Sequence, residues 1–109
     1  FVYEDNILFN KDKSRIISFR NQKLTSYVIP SSVTRIEDRA FSRCKSLVEV
    51  VIQNSVTSIG DRAFCGCKSL AKVVIPDSVT SIGDSAFRQD NFPYNLKQEL
   101  ISRFGKKIF

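Results

Sequence analysis

The sequence predicts a solenoid of about three β-rich coils with little helix, closed by an N-terminal β-hairpin and a C-terminal capping helix. Two observations predict it. Residues 24–46, 47–69 and 70–92 align without gaps at a period of 23, and their shared apolar positions fall in one fixed pattern. The first two segments agree at 14 of 23 positions and the last two at 13 of 23, which chance does not produce. A period of about 20 to 29 residues with spaced leucines marks a leucine-rich-repeat solenoid. The 109 residues then form one domain: a variant repeat over 1–23, three repeats over 24–92 and a capping helix over 93–109.

The first element is a hairpin. Residues 7–9 and 15–19 are apolar runs on either side of a polar turn, with Asn10 to Ser14 as the loop. It covers the open first rung.

Inside the coils, the second repeat places Leu47, Val50, Ile52, Val56, Ile59, Ala63, Phe64 and Cys67 inward. Their counterparts one period away fill the same slots. Val50 and Ile52 are two apart and point the same way from a strand, and the β-branched run Val50–Val51–Ile52 favours that strand. Pro30 and Pro76 end the ladder, because proline has no N–H to donate. A second short extended segment is expected at Val56–Ile59 and its equivalents. Gly60 and Gly83 then suit a tight turn, and Asp61 and Asp84 suit the cap of one helical turn ahead of Ala-Phe. Phe41, Phe64 and Phe87 should form a stacked column.

The last element is a helix. Asn95 reads as its N-cap with Gln98 three residues on and Pro93 just before, and Gly105 suits the C′ position. Leu96, Leu100 and Phe104, with Ile101 beside them, make one apolar face, expected over Ile82 and Phe87. Solenoids need such caps, because each coil buries its core only against its neighbours.

Composition narrows the function. The net charge is +6, divided as +2 over residues 1–23, +1 over 24–90 and +3 over 91–109. The excess therefore sits at the two ends of the chain, which argues against a nucleic-acid partner. No apolar run reaches the roughly 18 to 20 residues that span a bilayer, so no membrane insertion of this segment is expected. A start at Phe1 rather than Met reads as a fragment or a mature product. With no histidine, an ordinary Ser–His or Cys–His nucleophile pair is excluded, and no glycine-rich phosphate loop is present. No enzyme, cofactor or metal site is expected.

Cys44 and Cys67 share an inward slot, where cysteine acts as a small hydrophobe. Cys65 stands where the other coils have Ser42 and Arg88, and reads as exposed and incidental. A Cys44–Cys67 disulfide is geometrically conceivable on rungs about 5 Å apart, although the odd cysteine count argues against one.

The outward positions are where a ligand would bind. Ser26, Glu49 and Lys72 form one row, Val28, Val51 and Val74 a second, and Pro30, Gln53 and Pro76 a third. The valine row reads either as the apolar centre of a protein-binding face or simply as good strand residues. Stacked Thr34, Thr57 and Thr80 read as a structural row. Arg39 and Arg62 beside Asp38, Asp61 and Asp84, with Lys45 on Lys68, read as a charge-balanced surface without function.

The pattern I-P-x-S-V-T-S-I-G-D-x-A-F-x-x-C-x-S-L, carried by Ile29 to Leu47 and by Ile75 to Phe87, resembles the BspA-type leucine-rich repeat of bacterial surface proteins. Departures are Gln53 for proline, Glu37 for glycine and Asp90 for the last cysteine. The extended repeat surface reads as a protein-binding module, expected to be monomeric, and the resemblance implies a place at the cell surface or outside the cell with a host extracellular-matrix or plasma protein as ligand. The alternative is a structural spacer with no ligand of its own.

Overall fold

A computed structural model describes residues 1–89 and 92–109, so Asp90, in the slot of the missing third cysteine, lies outside the described residues. Each coil contributes two short strands. The first of each pair are β4 (Ser26–Val28), β6 (Glu49–Val51) and β8 (Lys72–Val74), which form a parallel three-stranded sheet. The second are β5 (Arg35–Ile36), β7 (Ser58–Ile59) and β9 (Ser81–Ile82), parallel neighbours in a second sheet. The register offset is one period throughout: Val50 faces Tyr27 and Val73, and Ile59 faces Ile36 and Ile82.

The core is the predicted ring. Ile29, Val33, Ile36, Ala40 and Phe41 are fully buried, as are or nearly are their equivalents in the other two coils. Stacking puts like on like, so the Phe41, Phe64 and Phe87 rings lie 4.7 and 5.1 Å apart. Phe19 adds a fourth ring, 4.8 Å from Phe41. The backbone follows the rings: the amides of Phe19, Phe41 and Phe64 donate to Ala40, Ala63 and Ala86 of the following coil at 2.7 Å. Hydrogen bonds between coils replace those of a helix, and the described residues of the repeats contain no α-helix.

The polar rows are satisfied in the same way. Thr34, Thr57 and Thr80 donate their hydroxyls to the carbonyls of Ser14, Thr34 and Thr57. The two buried thiols donate too, Cys44 to Phe19 at 3.3 Å and Cys67 to Phe41 at 3.0 Å. The slot therefore takes a small apolar side chain with one weak donor, which cysteine supplies. The hydrogen bond with Cys44 and burial both push the Cys67 thiol up, so it stays protonated and inert. All three cysteines are free, and Cys65 is half-buried rather than exposed.

Two expectations for the turn are corrected. Gly60 and Gly83 are not at positive φ. They are needed because the coils approach too closely for a side chain. A Cβ on Gly83 would stand 2.5 Å from the Asp61 amide nitrogen and 2.7 Å from its Cα. Nor do the aspartates cap turns of their own. Asp38 Oδ1 accepts the Asp61 amide at 2.8 Å, and Asp61 Oδ1 accepts that of Asp84 at 2.9 Å. They form a ladder along the solenoid. Glu37 replaces glycine in the first coil, where no earlier aspartate intrudes, and its carboxylate lies 3.6 Å from Arg15 and 3.1 Å from Arg35. Gly83→Ala is therefore expected to lower stability by about 1–3 kcal/mol through forced separation of two coils. An unchanged denaturant midpoint would show that the coils can part there freely.

The N-terminal cap is a meander of three strands, β1 (Val2–Glu4), β2 (Ile7–Phe9) and β3 (Arg15–Phe19). The β2–β3 hairpin was anticipated and β1 was not. Asp5 and Asn6, at φ 53° and 61°, turn β1 into β2 in the doubly left-handed geometry that a two-residue hairpin loop needs. Asn10 and Asp12 organise the second loop by accepting the amides of Arg15 and Ser14. β3 then pairs with β5 in parallel, Ile16 opposite Ile36, and so stands in as an extra rung.

The C-terminal cap has two parts, α1 (Tyr94–Phe104) and a 3₁₀ turn at Lys106–Ile108. Pro93, not Asn95, is the N-cap residue, and no side chain caps the helix. Proline's missing N–H costs nothing there, and its carbonyl accepts the Lys97 amide at 2.9 Å. Leu100 is buried, with Leu96 and Phe104 packed on the core as anticipated. Gly105, at φ 87° and ψ 169°, takes a conformation open essentially to glycine alone. Phe87 is also covered by residues that flank the helix: Phe92 and Phe109 lie against its ring at 5.8 and 6.2 Å, and its amide donates to Ile108 at 2.8 Å. Arg103 closes the other edge, its Nη1 donating to Ile75 at 2.9 Å and its Nη2 to Pro76 at 3.3 Å.

Candidate functional site

The sheet β4–β6–β8 brings the outward rows together. Ser26, Glu49 and Lys72 are cross-strand neighbours, as are Val28, Val51 and Val74, because the repeat has no insertion and every strand keeps the same register. Val28 is 56% exposed and Val74 46%, each large for an aliphatic side chain. Val51, expected to be equally exposed, is half-buried, since the central strand has a neighbour on both sides.

Two of the flanking residues are engaged by the fold. Glu49 Oε2 lies 3.5 Å from Lys72 Nζ, a cross-strand ion pair. Gln53 is half-buried, and its Nε2 donates to the Ile29 carbonyl at 2.7 Å. The sequence placed Gln53 outward; the structure turns it onto the backbone of the neighbouring coil. What faces solvent is therefore Ser26, Val28, Val74 and the Glu49–Lys72 pair, with Val51 partly covered between its neighbours. Sequence reasoning missed Val48, at the entry to β6 and 42% exposed. Its signal was a valine in a row otherwise occupied by Thr25 and Ala71.

Tyr27, in the inward slot of β4, packs 4.9 Å from Phe19, and its hydroxyl is pushed up to about 12 by desolvation and by Glu4 and Asp5. It stays neutral at any ordinary pH. Among the described residues, no three His, Cys, Asp or Glu side chains gather as a metal site. No described helix is long and apolar enough to cross a membrane.

No protein with a curated description matches the chain. Solved structures do. A leucine-rich repeat protein from Eubacterium ventriosum is similar at 38% identity and a TM-score of 0.76, over 79% of this chain and 23% of that one. The Treponema pallidum leucine-rich repeat protein is similar at 34% identity and a TM-score of 0.64, over 75% and 41%. A leucine-rich cell surface protein from Faecalibacterium prausnitzii is similar at 32% identity and a TM-score of 0.56, over 74% and 25%. The chain thus spans less than half the length of each of these relatives. Residues 15–109 match the family model described as a BspA type leucine-rich repeat region. With the repeat, its register and its stacked phenylalanines all in that pattern, the chain belongs to the BspA-type leucine-rich repeat family.

Proposed function

We propose that this chain is a protein-binding module of a bacterial surface or secreted protein, and that its ligand docks on the β4–β6–β8 face. The observation that carries the reading is the valine stripe. Val28 and Val74 stand in water on the open sheet, more apolar than strand propensity alone requires since threonine would serve it too, and an apolar centre with a polar rim is how protein interfaces are built. The cell-surface description of the F. prausnitzii relative supports an exported location. Adhesion to a host matrix or plasma protein follows from the family resemblance.

The test is retention of host plasma and matrix proteins by the immobilised chain, compared with a Val28→Asp, Val51→Asp, Val74→Asp variant. Loss of three central apolar contacts should weaken binding by at least about tenfold. Equal retention by a folded variant would remove the face from consideration. Retention of nothing by the folded wild-type chain would instead favour a spacer that extends other domains.

A further inference from the structure

A second surface lies away from that sheet, along the edge where each coil turns past its aspartate. Arg20, Gln22, Arg39, Ser42 and Arg43 line an open cleft of about 420 Å³ there. Arg20 is tied across it, its Nη1 donating to Ser42 at 3.4 Å. The next coils continue the edge. The Arg39 amide donates to Asp61, that of Arg62 to Asp84 and that of Ser85 to Lys107, so residues distant in sequence stand one above another. Arg20 from the N-terminal cap and the backbone of Lys107 from the C-terminal cap thus share this edge with Arg39, Arg43 and Arg62 from the middle of the chain.

The aspartates of this edge keep their charge but do not engage the arginines. The carboxylates of Asp38 and Asp61 are turned onto backbone amides. Among the described residues, none of Arg20, Arg39, Arg43 and Arg62 forms an ion pair; the pairs present are Lys13–Glu4, Arg15–Glu37, Arg35–Glu37, Lys72–Glu49 and Arg103–Asp77.

The backbone adds an independent observation. Arg39, Arg43 and Arg62 have φ of 58°, 61° and 54°, the left-handed region that costs a non-glycine residue about 1 kcal/mol. Gly66, in the slot of Arg43 one coil on, has φ 76° and shows that glycine fits. Ser85, one coil beyond Arg62, has φ 56°, so the left-handed conformation belongs to the repeat turn, and what the arginines add there is charge.

We propose that this edge binds a sulfated polysaccharide, the arginine guanidiniums pairing with sulfate groups laid across the coils. Arginine presents paired N–H donors that match such oxyanions. A protein partner is less suited, because the cleft is lined by Arg20, Gln22, Arg39, Ser42 and Arg43 and holds no large apolar anchor; the exposed Tyr3 lines the neighbouring hollow that shares Arg20 and Gln22. A single-stranded nucleic acid would want aromatic stacking platforms, and a duplex would want a helix or ribbon to enter a groove; the edge is made of short turns.

The experiment compares heparin, chemically desulfated heparin and duplex DNA for binding to the wild-type chain and to an Arg39→Asn, Arg43→Asn, Arg62→Asn variant, across a salt series. Asparagine tolerates the left-handed region, so the variant should melt no lower than wild type. Heparin affinity at about 50 mM salt should fall at least tenfold, and the slope of log affinity against log salt should shrink by about 2. The triple valine variant should bind heparin normally, which separates this surface from the sheet face. Absence of heparin binding by wild type, equal binding by the asparagine variant, equal binding of desulfated heparin, or tighter binding of DNA would each overturn the assignment.

Discussion

A chain ending at Gly105 is expected to aggregate on expression or to lose its cooperative unfolding transition, although the repeats and α1 remain intact in sequence. The four missing residues carry the last rung. Ile108 is fully buried, worth about 1.5–3 kcal/mol. Its carbonyl and that of Lys107 accept the amides of Phe87 and Ser85 at 2.8 and 2.6 Å. Phe109 lies edge-on to Phe92 at 5.1 Å, and Lys97 stands over its ring at 5.3 Å. Without them the Phe87 end of the column and a row of unpaired amides meet water, a template for edge-to-edge association. Size-exclusion chromatography with a thermal melt is the check. A monomeric truncation melting at the wild-type temperature would show that α1 alone suffices. Deleting residues 93–109 altogether should be at least as damaging, since it also removes Leu100 and the Arg103 hydrogen bonds to β8's end.

Phe64→Ala is expected to cost about 3–5 kcal/mol, a large share of the roughly 5–15 kcal/mol that holds a domain of this kind together. Phe64 is 1% exposed and is stacked on both sides, by Phe41 and by Phe87. The cavity cannot close by collapse of one coil onto another, because the coil spacing is set by the backbone ladder on either side, Phe41 to Ala63 and Phe64 to Ala86. Denaturant unfolding measures the loss. A cost below about 1 kcal/mol would mean that the ladder yields and the coils settle into the gap. Phe64→Leu should recover much of the stability, since it restores most of the buried volume.

The two predictions also mark how much was readable beforehand. A repeat of 23 identifies the slots of Ile, Val, Ala-Phe and Cys without any structure, because a position that recurs every coil must see the same neighbours above and below. Phe64 could be placed in its column from the sequence alone. Ile108 and Phe109 could not, because they lie beyond the last repeat and imitate a rung without carrying its motif. β1 escaped for a related reason: Val2–Glu4 is a strand only by virtue of its partner β2.

The candidate surfaces divide in the same way. The rows Ser26–Glu49–Lys72 and Val28–Val51–Val74 were legible, since strand alternation and an ungapped repeat suffice to align them. That Gln53 turns onto Ile29 was not, because the loss of a proline says nothing about where the new amide goes. The arginine edge was legible only as a charge count. Counting Arg39 and Arg62 against Asp38, Asp61 and Asp84 gives the balance, and only the structure shows that Asp38 and Asp61 turn to backbone amides rather than to the arginines.

The sequence by itself determined the solenoid, its inward ring, the register of its two sheets and the membership of its outward rows, because these follow from periodicity and local stereochemistry. Tertiary structure decided why Gly60 and Gly83 are glycine, how the two ends are closed and which charges stand unpaired on one edge. Those depend on the distance between coils, and a distance between backbones that are 23 residues apart is written in no local pattern.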